Sequence, residues 1–84
     1  MARDSVVVEF VMVKRGKVVD LDIPLSMTAN EFVTALNSAY QLNINTGNLK
    51  DCYFQCENPI ALLRGNKMLA DFGIRNGSRI YFTN

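Results

Sequence analysis

The sequence contains no histidine and no tryptophan, and its 84 residues include only two cysteines. Histidine is the usual general base near neutral pH, so its absence argues against ordinary acid–base catalysis. Nine basic and eight acidic residues leave a net charge of +1, which gives no electrostatic reason to expect binding to nucleic acid or to an anionic membrane.

Apolar runs such as residues 10–13 are far shorter than the roughly 18 residues of a membrane span. No signal-peptide cleavage site is recognisable. We therefore expect a cytoplasmic, non-enzymatic protein with no cofactor and no direct membrane insertion.

The two cysteines have the spacing C-x3-C, at Cys52 and Cys56. On a strand they would lie about 13 Å apart, at about 3.3 Å per residue, whereas a disulfide needs Cα atoms within about 7 Å. Two thiolates without histidine supply only half of a zinc site. We expect reduced thiols, packed as small hydrophobic side chains, and no metal.

The last third of the chain carries the most specific pattern. Leu69, Phe72 and Ile74 are apolar anchors on a tight, irregular segment, and Asn76-Gly77 is typical of a turn. Residues 78–82 form a short strand in which Ile80 and Phe82 share one face. Because almost nothing follows this strand, we predict that it lies near the middle of a sheet, between the first strand and one from the middle of the chain.

The first part of the chain predicts a β-hairpin. Residues 5–13 alternate as a strand, with Val7, Val11 and Val13 on the face that also carries a charge. Lys14-Arg15-Gly16 fits a three-residue hairpin loop with the glycine in a left-handed conformation. Residues 17–23 form the return strand, with an inner face of Val19, Leu21 and Ile23.

A helix follows the hairpin. Thr28 and Glu31 have the spacing of a capping box, and the apolar positions after them recur with helical spacing. The helix should cover residues 29–40. The side chains expected to face the sheet are Phe32, Val33, Ala35, Leu36, Ala39 and Tyr40.

Two further short strands are predicted between the helix and the C-terminal pattern. Residues 52–56 form the third strand; the Cys52/Phe54/Cys56 set and the Tyr53/Gln55 set are both reasonable inner faces, and we favour the first. Residues 57–59 form a turn, and residues 60–63 form the fourth strand. The order β-β-α-β-β-β predicts an α+β domain in which a mixed five-stranded sheet curls over one helix. Residues 1–84 should be a single domain with residues 1–4 frayed at its start.

This ordered set of motifs resembles ubiquitin and its β-grasp fold. The hairpin, the helix opened by Thr28 and the segment 69–74 all have counterparts there, in the same order. Residues 68–80 are more similar to the C-terminal signature of the YukD/EsaB-like family, which are small bacterial ubiquitin-fold proteins encoded with type VII (Ess/Yuk) secretion systems. Residues 42–64 match that family poorly.

The resemblance implies a ubiquitin-like accessory or regulatory factor of a type VII secretion system that acts through protein contacts. It suggests the cytoplasmic parts of the membrane-bound secretion ATPase, or their neighbours, as partners. A homodimer and a ubiquitin-fold adaptor unrelated to secretion both remain open.

Two other functions remain as alternatives. A conjugated modifier or a sulfur carrier needs a flexible tail ending in Gly-Gly, and this sequence ends in Thr83-Asn84, so we do not expect conjugation. A nucleic-acid binder could stack bases on Tyr53 and Tyr81, with Arg79 beside them, as RNA-recognition sheets do. The near-zero net charge disfavours that function.

The ubiquitin-like strand order also predicts an apolar patch on the sheet face opposite the helix. Exposed apolar clusters often mark interaction sites, although scattered surface valines and tyrosines are also common in β-rich domains. Arg79 would form its polar rim. The predicted partner-binding residues are Val7, Val11, Val13, Val18, Tyr53, Arg79 and Tyr81.

Overall fold

A computed structural model describes residues 5–44, 53–58 and 60–83. Within these ranges the chain forms five strands and one α-helix. They are β1 (Ser5–Met12), β2 (Lys17–Pro24), α1 (Ala29–Tyr40), β3 (Phe54–Glu57), β4 (Ala61–Leu63) and β5 (Arg79–Phe82). The expected frayed start at residues 1–4, and the predictions for Cys52 and Pro59, lie outside the described residues.

The strands form one mixed sheet in the order β2-β1-β5-β3-β4. The last strand is therefore central: β5 runs parallel to β1 and antiparallel to β3, as the sequence predicted. The turn before β5 attaches it to β1. The Val7 N–H donates to Asn76 Oδ1 at 2.8 Å, and the Gly77 N–H donates to the Val7 carbonyl at 3.0 Å. Gly77 has a φ of +88°, which a glycine adopts without steric cost.

The hairpin differs from its prediction at the tip. β1 ends at Met12, and Val13 opens a 3₁₀ turn over Val13–Arg15 instead of extending the strand. Gly16 closes the turn in the predicted left-handed conformation. The turn brings Arg15 to the end of α1, where its guanidinium donates to the carbonyls of Tyr40 at 2.7 Å and Gln41 at 2.8 Å. These carbonyls have no N–H partner within the helix, so Arg15 satisfies them from the hairpin tip.

The helix has the predicted bounds, and the predicted capping box is formed at its start. The Glu31 N–H donates to Thr28 Oγ1 at 3.1 Å, and the Thr28 N–H donates to Glu31 Oε1 at 3.0 Å. The prediction that Ala35 and Ala39 face the sheet was wrong, since both are exposed. They lie four residues apart and therefore share one flank of the buried stripe. The helical residues that are buried are Ala29, Phe32, Val33 and Leu36.

The core lies between the helix and the inner face of the sheet. Phe54 is at its centre, with ring centroids 5.4 Å from Phe10, 5.7 Å from Phe32 and 6.0 Å from Phe82. Phe54 and Cys56 are both buried, so the favoured inner face of the third strand is confirmed for these two residues.

The observed bounds of the three shorter strands differ from the predicted ones. β3 covers Phe54–Glu57, so Glu57 belongs to the strand and not to the turn; β4 starts at Ala61 and leaves Ile60 outside. β5 starts at Arg79, and Ser78 before it is fully buried. The Ser78 N–H donates to the Arg75 carbonyl within the turn. The Ser78 Oγ accepts from the Arg75 N–H and donates to the Asn58 carbonyl.

The segment before β5 is a 3₁₀ turn over Leu69–Phe72. Leu69 and Ile74 are buried as predicted. Phe72 is only partly buried, and the Lys67 Nζ lies 5.0 Å from the centroid of its ring. Phe72 is thus a peripheral anchor covered by a lysine side chain.

Candidate functional site

The outer face of the sheet, turned away from α1, is organised in rows of cross-strand neighbours. One row is mainly apolar and runs across all five strands. Its members, from edge to edge, are Val18, Val11, Tyr81, Gln55 and Leu62. The next row is charged. Its members are Asp20, Glu9, Arg79 and Glu57.

The apolar row is exposed most at its two ends. Val18 is 58% exposed on β2 and Leu62 is 45% exposed on β4, whereas Val11 and Tyr81 in the interior of the sheet are half-buried. Neighbouring side chains on one sheet face lie about 4.5–5.5 Å apart at Cβ. The row therefore brings Val18, Val11 and Tyr81 into one apolar strip, and the polar Gln55 lies between Tyr81 and Leu62.

The charged row contains three carboxylates and one guanidinium. Arg79 Nε lies 3.2 Å from Glu9 Oε2, and the Tyr81 hydroxyl donates to Glu57 Oε1 at 3.1 Å. The side-chain hydrogen bond with Tyr81, and then the charge of Glu9, raise the pKa of Arg79, so its guanidinium remains positively charged. Three carboxylates and one guanidinium give the row a formal net charge of −2.

The structure brings together only some of the predicted site residues. Val11, Val18 and Tyr81 are direct neighbours in the apolar row, and Arg79 lies beside them as the expected rim residue. Val7 shares the outer face but is separated from Val11 by Glu9 of the charged row.

Val13 and Tyr53 lie beyond the ends of the strands that they were expected to extend. Val13 belongs to the hairpin turn and is 50% exposed. Tyr53 precedes β3 and is exposed as well. Both remain close in sequence to members of the apolar row, but the strand pairing does not align them with it.

Sequence reasoning missed the end of the row at β4. Ile60 is 92% exposed and Leu62 is exposed beside it. Together with Tyr81, Gln55 and Glu57 they line an open groove of about 420 Å³. The alternation of Ile60 and Leu62 with Ala61 and Leu63 was a usable signal. This signal alone does not settle the orientation, because the neighbouring strand decides which residues of so short a strand face outward.

Several residues that bear on the nucleic-acid alternative make contacts within the protein. Arg15, between Lys14 and Lys17, is engaged with the carbonyl end of α1. The aromatic and basic residues proposed for base stacking lie next to carboxylates, which repel a phosphate backbone. Tyr81 and Arg79 contact Glu57 and Glu9, respectively.

Cys56 has a structural role in the core. Its thiol is free and buried, and burial, followed by the charge of Glu57, raises its pKa to about 11. A thiol with such a pKa stays protonated near neutral pH and is a poor nucleophile. Across the described ranges no cluster of three or more metal-ligating side chains occurs. In the same ranges no helix combines the length and the apolarity that crossing a membrane requires.

The strand order, with α1 packed on one face of the sheet, defines a ubiquitin-like β-grasp protein. Solved structures of this class superpose on nearly the whole chain. The C-terminal ubiquitin-like domain of mouse tubulin-specific chaperone e has a TM-score of 0.73 at 12% identity, covering 96% of this chain and 87% of its own. The ubiquitin-like domain of an Arabidopsis thaliana protein has a TM-score of 0.65 at 15% identity, with 95% and 76% covered. The corresponding domain of Plasmodium falciparum Dsk2 has a TM-score of 0.59 at 15% identity, with 92% and 96% covered. At these identities the likeness shows the fold alone.

The sequence identifies the family within this class. Residues 6–82 match the family described as WXG100 protein secretion system (Wss), protein YukD, and the chain belongs to that family. The expected resemblance is thereby confirmed. No curated protein is a significant match.

Proposed function

We propose that this protein is a non-enzymatic accessory factor of a WXG100 secretion system and that it works in the cytoplasm by binding another protein. Family membership supports the assignment to the secretion system. The observation that favours binding is the apolar row centred on Tyr81, since aromatic side chains within an apolar surface are frequent anchors of protein interfaces. The partner proposed is the cytoplasmic part of the membrane secretion ATPase.

The test is co-purification of the tagged protein with the secretion ATPase from solubilised membranes of a host that expresses the whole secretion operon. Wild type should retain the ATPase, and Tyr81→Asp should lose it, because a buried carboxylate in an apolar interface has no partner. Val18→Asp is a second variant at an exposed edge position that leaves the core unchanged.

A matched control is Met68→Asp, which changes an apolar residue of similar exposure, 44%, beside the start of α1. It should bind the ATPase as wild type does. Equal recovery of the ATPase with wild type, Tyr81→Asp and Val18→Asp would reject the outer face as the binding surface. Absence of the ATPase from the wild-type sample would reject the proposed partner.

A further inference from the structure

An open groove lies at the β4 end of the apolar row. It is lined by Ile60, Leu62 and Tyr81 together with Gln55, Cys56, Glu57 and Ala61. Ile60 is 92% exposed, an unusual state for a large aliphatic side chain beside a groove. A volume of about 420 Å³ falls within the roughly 300–1,000 Å³ range of small ligand pockets, so it accommodates one large apolar side chain.

The groove has an acidic rim. Glu57 lines it, and the Tyr81 hydroxyl fixes one carboxylate oxygen of Glu57 at 3.1 Å. The open groove thus combines exposed apolar side chains with a positioned carboxylate.

The rest of the charged row adds to this negative field. Glu9 and Asp20 are direct cross-strand partners, and like charges in this position are destabilising. Arg79 lies between Glu9 and Glu57 in the row and partly offsets both charges, but three carboxylates to one guanidinium leave the row with an excess of negative charge. A cationic partner would relieve this repulsion, whereas an acidic partner would increase it.

We propose that the groove bounded by Ile60, Leu62 and Tyr81 receives an apolar side chain from a protein segment that carries lysine or arginine next to that side chain. The basic residue pairs with Glu57 at the groove, and further basic residues of the partner face Glu9 and Asp20. This inference rests on the proposed function and adds the chemistry of the partner and the place of its anchor.

The test uses a random peptide display library selected on the immobilised full-length protein. Enriched peptides should contain a large apolar residue with lysine or arginine beside it, well above the frequency in the unselected library. They should bind Ile60→Asp about tenfold or more weakly, because the substitution places a charge against the apolar anchor. Ile60 lies outside β4 and is exposed, so this variant should fold as wild type does.

The charge is tested separately with Glu57→Gln and Glu57→Lys. Affinity for a selected peptide should fall with Glu57→Gln and fall further, by about tenfold or more, with Glu57→Lys. Changing the basic residue of the peptide to glutamate should restore part of the affinity for Glu57→Lys. Asp71→Asn, on the 3₁₀ turn beside the start of α1, removes an exposed carboxylate elsewhere and should leave affinity unchanged.

Several results would overturn the inference. They are the failure to enrich any peptide, enriched peptides with no excess of basic residues, and equal binding by wild type, Ile60→Asp and Glu57→Lys. Failure of the inference is distinguishable from failure of the proposed function. If the ATPase binds wild type and is lost with Tyr81→Asp but is retained by Ile60→Asp and Glu57→Lys, the outer face stands and only the groove and its charge are rejected.

Discussion

Ile80 and Tyr81 are adjacent in β5 but lie in opposite surroundings. Ile80 is fully buried on the helix side of the sheet, whereas Tyr81 is half-buried on the outer face and bonds to a carboxylate. The inner face is one packed layer, in which an apolar side chain can be replaced by another of similar volume. The outer face is divided into an apolar row and a charged row, and its arrangement depends on strand register. Inner residues of these strands thus form the core, and the residues that alternate with them form the surface proposed for recognition.

The largest expected effect is the difference in stability loss between an inner and an outer residue of β3. Phe54→Ala should lower the free energy of unfolding by about 3–5 kcal/mol, because it leaves a cavity among three other aromatic rings. Gln55→Ala, the adjacent outer residue, should change it by less than about 0.5 kcal/mol. Urea unfolding followed by circular dichroism measures both. Similar losses for the two variants would show that the outer face is also part of the core.

A buried polar residue provides the next test. Ser78→Ala should destabilise the protein by about 1–3 kcal/mol, because the Arg75 N–H and the Asn58 carbonyl lose their shared partner. Ser26→Ala changes an exposed serine and serves as the control. Thermal and urea unfolding of the two variants should differ clearly, and a Ser78→Ala variant as stable as wild type would mean that water replaces the hydroxyl.

The contact between the hairpin tip and the helix should have a smaller effect. Arg15→Met removes two charge-assisted hydrogen bonds to the end of α1, and we expect a loss of about 1 kcal/mol because the contact is exposed. Lys14→Met removes a charge from the same turn and should have little effect. The difference in urea midpoints measures the contact, and equal midpoints would show that the helix end is stabilised by water instead.

The smallest effect is the pH dependence of the helix cap. The backbone hydrogen bond from Thr28, and then the bond with its side chain, lower the pKa of Glu31 below its ordinary value. A lowered pKa in the folded state contributes stability above the unfolded pKa of about 4.3, and that contribution disappears as pH falls through the folded value. Glu31→Gln keeps an accepting oxygen but removes the charge.

Wild type should therefore unfold at a slightly higher temperature than Glu31→Gln at pH 7, and the two should converge as the pH falls below about 4. Scanning calorimetry at several pH values measures this difference. A constant gap between the two proteins down to pH values well below 4 would indicate that the charge of Glu31 has no part in the cap.

Long, regular segments were the most predictable from the sequence. The capping residues and the apolar spacing after Thr28 fixed the helix at both ends. The alternation in residues 17–23 gave the inner face of β2. These segments carry their own signals, because a hydrogen-bonded cap or seven alternating residues restrict the conformation locally.

The short strands β3 and β4 were less predictable, and so was the candidate site. A segment of three or four residues contains too few alternations to set its bounds. Its position is decided by the strand beside it, as the pairing of Gln55 with Tyr81 and Leu62 shows. The predicted partner-binding patch therefore lacked Ile60 and Leu62. It included Val7, which Glu9 separates from Val11.

The sequence by itself determined the β-grasp class, the helix, the central position of the last strand and the family, because each depends on a local pattern or on the order of such patterns. Only the tertiary structure decided which outer residues are neighbours. That decision follows from register, which aligns Val18, Val11, Tyr81 and Leu62 in one row and Asp20, Glu9 and Arg79 in the next. Register depends on pairing between residues far apart in the chain, and no single segment contains it.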